Sequence, residues 1–147
     1  MKIQTQYFGT ISYSEKELIH FSDGLFGFTH LKSYVPLAFQ DNSDALICLQ
    51  SIEDLSVSFI LMNPFQLYAD YAPVLPEEDK KLLNVSQEES VSYYVICVIH
   101  DSTDQSTVNL KCPIAVNVET REARQVILDN PLYQFRHLIK DFVKEVN

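Results

Sequence analysis

Val91-Ser92-Tyr93-Tyr94-Val95-Ile96-Cys97-Val98-Ile99 is the longest apolar run of the chain. It is nearly continuous and rich in β-branched and aromatic residues, as expected of a central strand buried on both faces. Outward from it, the chain reads mostly as short strands parted by turn signals. Ile3, Thr5 and Tyr7 alternate with Gln4 and Gln6. A turn at Gly9-Thr10 then returns the chain through Ile11–Tyr13, which gives a hairpin. Further strands are expected at Ile19–Phe21, Val35–Phe39, Ala45–Ser51, Val57–Met62, Thr107–Leu110, Ile114–Val118 and Gln125–Leu128. Leu31–Tyr34 reads as one helical turn, and Phe65–Tyr71, between Pro64 and Pro73, as irregular.

Two helices complete this reading. Pro76-Glu77-Glu78-Asp79 opens a short one running to about Leu83, because proline suits the first helical position and acids complement the positive end. At the tail, Leu132, Phe135, Leu138, Ile139, Phe142, Val143 and Val146 fall on one helical stripe behind Asn130 as cap and Pro131 as first residue. The expected fold is mainly β: antiparallel strands in a distorted barrel or sandwich, with a short helix after Pro76 and a C-terminal amphipathic helix. No repeat or Gly/Ser linker divides the 147 residues, so one domain over 1–147 is expected.

The three glycines all lie in the first 27 residues, two of them in Phe21-Ser22-Asp23-Gly24-Leu25-Phe26-Gly27-Phe28. That stretch reads as tight turns under aromatic cover. With no glycine beyond it, a Gly-rich phosphate loop is excluded. The apolar fraction of 46% is that of a globular protein. Val91–Ile99 is too short to span a bilayer, and Met1–Gln6 lacks the apolar stretch of a signal peptide, so a cytoplasmic location is expected. Cys48, Cys97 and Cys112 are odd in number and without CxxC spacing, which reads as reduced core thiols.

The net charge is −9, and it is unevenly placed. Residues 33–110 carry twelve acids against two bases, a net of −10; the rest is nearly balanced. Two readings stand: a solvated, solubilising surface, or an anionic docking face for a basic partner. Either disfavours direct binding to nucleic-acid phosphate. His20, His30, His100 and His137 lack partners at ligand spacing, no G-x-S-x-G elbow occurs, and no cofactor fingerprint is present. The absences favour a binding protein. A thiol-dependent enzyme built on Cys97 or Cys112 is the alternative from a different class.

Several segments in order carry a resemblance: Thr5-Gln6-Tyr7-Phe8-Gly9, Ile19-His20-Phe21-Ser22-Asp23-Gly24-Leu25-Phe26-Gly27-Phe28, Leu49-Gln50-Ser51-Ile52-Glu53-Asp54, Asn63-Pro64-Phe65, Thr107-Val108-Asn109-Leu110-Lys111-Cys112-Pro113-Ile114 and Gln125-Val126-Ile127-Leu128. On these the chain resembles the FliW family of flagellar assembly factors along nearly its whole length. It departs from the family at Ser22 and Phe26, where proline is usual, and at Glu122-Ala123, where a turn glycine is frequent. The resemblance implies a non-enzymatic, mostly β, cytoplasmic protein without cofactor or metal. It implies two partners: flagellin, and CsrA, the dimeric RNA-binding repressor of flagellin translation. Flagellin export would free the protein to bind CsrA and relieve repression.

CsrA must offer basic surface to touch RNA. Asp70, Glu77, Glu78 and Asp79, with Tyr68 and Tyr71 as aromatic anchors, are therefore the candidate CsrA contact. Helix-start stabilisation and core packing are the competing roles for these residues. Leu25, Phe26 and Phe28 are the candidate groove for the apolar helical ends of flagellin, with core packing as the competing role. Direct mimicry of RNA by the acids is a third mode of action.

Overall fold

The computed structural model describes residues 1–142. Among these described residues are eleven strands: β1 (Lys2–Thr5), β2 (Gly9–Ser12), β3 (Ile19–Phe21), β4 (Ser33–Ala38), β5 (Leu46–Ser51), β6 (Ser58–Met62), β7 (Val91–Val98), β8 (Thr107–Val108), β9 (Ile114–Asn117), β10 (Glu122–Gln125) and β11 (His137–Leu138). Two short helices, α1 (Pro64–Leu67) and α2 (Glu77–Leu82), lie in the long connection between β6 and β7.

β3 to β7 pair in sequence as antiparallel neighbours. β10 joins β3 in parallel, β9 joins β10, and β9 returns to β7, closing a seven-strand barrel. Closure removes the free edges that an open sheet exposes. β7 is the longest strand and makes the closure possible. Its first half pairs with β9, while its last two residues pair with β8, which carries β11 outside the barrel.

Side chains alternate across β7. Tyr94 and Ile96 point into the barrel with Phe21, Leu25, Tyr34, Leu49, Leu61 and Ile114. Tyr93, Val95 and Cys97 point outward under the β6–β7 connection, against Tyr71, Leu75, Leu83 and Tyr133. Both faces are thus packed, and the unbroken apolar run is explained. The β1–β2 hairpin covers a third patch, with Ile3 and Ile11 on Val35 and Leu37 of β4.

The α2 helix forms one residue later than expected: Pro76 is its N-cap and Glu77 its first residue. It ends in a Schellman closure: Val85 N–H bonds Lys80 C=O at 2.9 Å and Asn84 N–H bonds Lys81 C=O at 3.2 Å. Asn84 supplies the left-handed residue at φ +55° that this closure needs.

Several local expectations are corrected. The first hairpin turns at Gln6–Phe8, because the Thr5 hydroxyl accepts from Phe8 N–H and donates to Gly9 C=O, which closes the turn early. Residues 33 and 34 belong to β4 rather than to a helical turn, and Pro64–Leu67 is helical rather than irregular. The Asn63 side chain caps α1 through Phe65 N–H, and Pro64 sits in its first turn. β10 begins three residues before the expected last strand. Beyond it, Val126 and Leu128 bond Pro113 and Lys111 carbonyls instead of extending a ladder.

The larger correction is the tail. No helix starts at Pro131. Asn130 does accept from Leu132 N–H, but the turn goes no further. Tyr133 instead inserts its ring against Tyr71, 4.8 Å between centroids, and its hydroxyl accepts from Ala72 N–H. The chain then pairs as β11 with β8 and makes a single 3-10 turn at Ile139–Asp141. Non-local pairing outweighs helical periodicity here. Of the expected stripe, Val143 and Val146 lie outside the described residues.

Candidate functional site

A cleft of about 550 Å³ opens beside the start of β7. Asp44, Phe65, Tyr71, Val74, Glu88 and Tyr93 line it. Asp44, on the β4–β5 connection, is held by three donors: Asn63 Nδ2 at 3.1 Å, Gln66 Nε2 at 3.2 Å and Tyr94 hydroxyl at 3.3 Å. These bonds tie α1 to the barrel end. Phe65 packs its ring on Tyr71 and Tyr93 yet remains 41% exposed. Val74 is 71% exposed. The Tyr93 hydroxyl is buried without a hydrogen-bond partner among the described residues, and burial, then Glu88, pushes its pKa up to about 12.

The residues expected to contact CsrA are split by the fold. Tyr71 is a core residue, 3% exposed, whose hydroxyl donates to Leu110 C=O at 2.8 Å. Burial pushes its phenol well above the ordinary range. It shapes the cleft from behind and has no surface to offer as an anchor. Tyr68 is half-buried against the ring of Phe142. Asp79 accepts from Arg124 Nε at 2.9 Å, with a side chain 14% exposed, and Arg124 Nη1 also pairs with Asp23. Its charge is spent on β10. Asp70, Glu77 and Glu78 remain exposed; Glu77 makes only a loose 3.4 Å contact with Lys80 on its own helix.

The acidic middle does not form one face. Successive antiparallel strands put successive connections at opposite barrel ends. Asp41 and Asp44 on the β4–β5 connection therefore share one end with Glu88 and Glu89, which immediately precede β7. Glu53 and Asp54 on the β5–β6 connection share the other with Asp101 and Asp104, which follow β7. The α2 acids lie on the wall between, beside Arg124. Several of these carboxylates cap local backbone: Glu53 accepts from Lys32 and Ser33 N–H, and Asp54 from Ser56. Of the two readings of this charge, the continuous anionic docking face is thereby corrected to separate patches.

The glycine-aromatic stretch is also divided. Gly24 has φ +68°, and a Cβ there would lie 2.5 Å from Thr29 Cα, so the loop closes directly on its backbone. Leu25 is 1% exposed and belongs to the barrel core, not to a surface groove. Phe28 is half-buried, edge-on to Phe59 at 5.1 Å. Phe26 alone projects, 50% exposed, with its N–H held by the Gln125 side chain.

The thiols are unsuited to nucleophilic work. Cys48, Cys97 and Cys112 are free and buried. Burial pushes Cys97 up to about 12 and raises the other two, so all three are protonated at neutral pH. Among the described residues no group of three or more His, Cys, Asp or Glu converges on a metal-sized site, and no helix is long and apolar enough to cross a membrane.

The sequence reading missed Asp44, Phe65, Glu88 and the Tyr93–Tyr94 pair. The one local signal was two adjacent tyrosines in a strand, which must face opposite sides. What each side meets is set by α1 and by the β4–β5 connection, and no spacing rule encodes that.

Residues 2–139 match the family described as FliW protein. A flagellar assembly factor FliW of Ruminiclostridium cellulolyticum is 35% identical over 141 residues, covering 96% of this chain and 95% of its own. One of Geobacillus thermodenitrificans is 36% identical over 137 residues, covering 93% and 94%. A crystal structure of the flagellar assembly factor FliW superposes with a TM-score of 0.88 at 34% identity, covering 99% of this chain and all of the other.

Proposed function

Because this chain belongs to the FliW family, we propose that it serves flagellar assembly as a non-enzymatic binding protein of the cytoplasm. It holds flagellin before export. Once flagellin leaves, the freed protein takes CsrA and lifts repression of flagellin translation. The observation that carries this reading is the match of residues 2–139 to a family whose relatives are named flagellar assembly factors. Occupancy passes from one partner to the other by mass action and needs no chemistry.

The exposed carboxylates Asp70, Glu77 and Glu78 are the proposed contacts for the cationic surface of CsrA; their exposure supports this, and Asp79 and Tyr71 are left out of it. Phe26 is the proposed apolar contact for flagellin, supported by its display on a loop with a fixed backbone. An exposed aromatic held rigidly loses little entropy when a partner covers it.

The test is a Glu77→Lys/Glu78→Lys double substitution measured against CsrA across a salt series. Binding should weaken, and its salt dependence should flatten, because fewer ion pairs are screened. Unchanged affinity and salt dependence remove these two residues from the contact.

A further inference from the structure

A second cavity, of about 190 Å³, opens into the barrel interior. Its walls are apolar: Phe21, Ile47, Leu49, Leu61, Ile114 and Val116. Phe21, Leu49 and Ile114 are among the most deeply buried residues of the protein. The volume suits a ring or a branched aliphatic group; an apolar protein cavity of about 150 Å³ is enough to take up benzene.

One cation stands on this cavity. Arg121 lies in the β9–β10 turn with φ +64°, in the left-handed region that a residue with a Cβ rarely adopts. Its guanidinium is fixed by two backbone acceptors: Nε donates to Leu18 C=O at 3.1 Å, and Nη2 to Glu17 C=O at 2.7 Å. Those bonds use two of five N–H donors and none of the charge. No carboxylate pairs with Arg121 among the described residues, whereas Arg124, three residues on, holds two. Tyr94 lines the same cavity, and its hydroxyl donates to Asp44 at 3.3 Å. A guanidinium held by two backbone acceptors, beside an apolar wall, is preorganised for a carboxylate with an apolar tail.

We propose that the barrel mouth binds a monocarboxylate bearing a short branched or aromatic tail, with the tail against Pro36, Ile47 and Val118, the lining residues that keep accessible apolar surface, and the carboxylate on Nη1 of Arg121. The site stands apart from the flagellar reading and survives its failure. Two sources supply this chemistry: a free short-chain acid, and the apolar C-terminal residue of a polypeptide.

The experiment uses the wild-type protein with labelled Ile, Leu and Val methyl groups, followed by NMR. It is titrated with 4-methylpentanoate and its amide, and with N-acetyl-leucine and its amide. The methyl signals of Ile47 and Val118 should move with an acid, and the matching amide should bind about tenfold more weakly or worse, since it lacks the charge-assisted bond. A response to 4-methylpentanoate alone assigns the free acid; one to N-acetyl-leucine, alone or with the first, admits a polypeptide C-terminus. Arg121→Gln, with its melting temperature checked, should erase the preference for acid over amide. Acid and amide binding equally, or neither moving the cavity methyls, overturns the proposal.

Discussion

The backbone N–H of Phe26 donates to the side-chain Oε1 of Gln125, 2.9 Å away and 99 residues further along the chain. Gln125 is itself buried and passes its Nε2 on to Cys112 C=O at 3.3 Å. One amide therefore ties the tip of the glycine loop to two other segments. Gln125→Leu should cost about 1–3 kcal/mol, because it leaves both backbone partners unpaired. Phe26→Ala, at a half-exposed side chain, should cost under about 1 kcal/mol and should lose flagellin binding. Denaturant unfolding and a flagellin pull-down check the pair.

Gly24 and Gly27 both have positive φ but differ in surroundings. Gly27 has nothing within 4 Å of where a Cβ would stand, while Gly24 faces Thr29 and Phe28 backbone. Gly27→Ala should cost about 1 kcal/mol, from backbone conformation alone. Gly24→Ala should cost at least about 2 kcal/mol, because backbone must also move. Thermal melting separates them, at roughly 2–4 °C for each kcal/mol in a domain of this size.

Arg124 joins α2 to the β3–β4 loop through Asp79 and Asp23. The Asp79 and Arg124 side chains are only 14% and 19% exposed, so this pair is shielded from solvent. Asp79→Asn should destabilise by about 1–3 kcal/mol, by leaving a half-buried guanidinium short of one partner. Asp23→Asn, at a side chain 69% exposed, should cost much less. Chemical denaturation of both variants measures the difference.

His137, in the outer strand β11, accepts from Gln134 N–H through Nε2 at 2.9 Å, which requires that nitrogen to be unprotonated. Burial lowers its pKa, against a smaller opposing pull from Asp141. With a folded pKa below the unfolded value, its contribution is present above about pH 6.5 and lost as pH falls through the folded value. Amide protection factors, which remove the intrinsic slowing of exchange at lower pH, should fall at Lys111 and Ile139, whose N–H groups bond Gln134 and Ser106 carbonyls beside this strand, as pH drops below about 6.5. His137→Gln should flatten that dependence.

Cys48, Cys97 and Cys112 should resist alkylation at pH 7 in the folded protein and react within minutes in denaturant, since burial holds each thiol protonated. Fast labelling of native Cys97 or Cys112 would revive the thiol-enzyme reading. Mass spectrometry after timed iodoacetamide treatment distinguishes the two.

What was legible in the sequence follows from what is local. Val91–Val98 announces itself because both its faces need apolar cover, and Glu77–Leu82 because Pro76 and three acids suit a helix start. The tail was misread because Leu138, Ile139 and Phe142 satisfy a helical period equally well, while the deciding partners, Thr107 and Val108, lie some thirty residues away. Likewise Asp79 looked exposed until Arg124, 45 residues on, came to meet it. The acidic segment looked like one surface because charge counted along a chain ignores that alternate hairpins send alternate loops to opposite barrel ends. Arg121 gave no linear signal, since its isolation is a property of what surrounds it.

Exchange between the two proposed partners can be read from purified protein mixed with flagellin and CsrA and resolved by size-exclusion chromatography. Two separate complexes should elute, with added flagellin releasing CsrA in proportion to its concentration. A stable complex containing all three proteins, or no binding of either partner, would contradict the exchange.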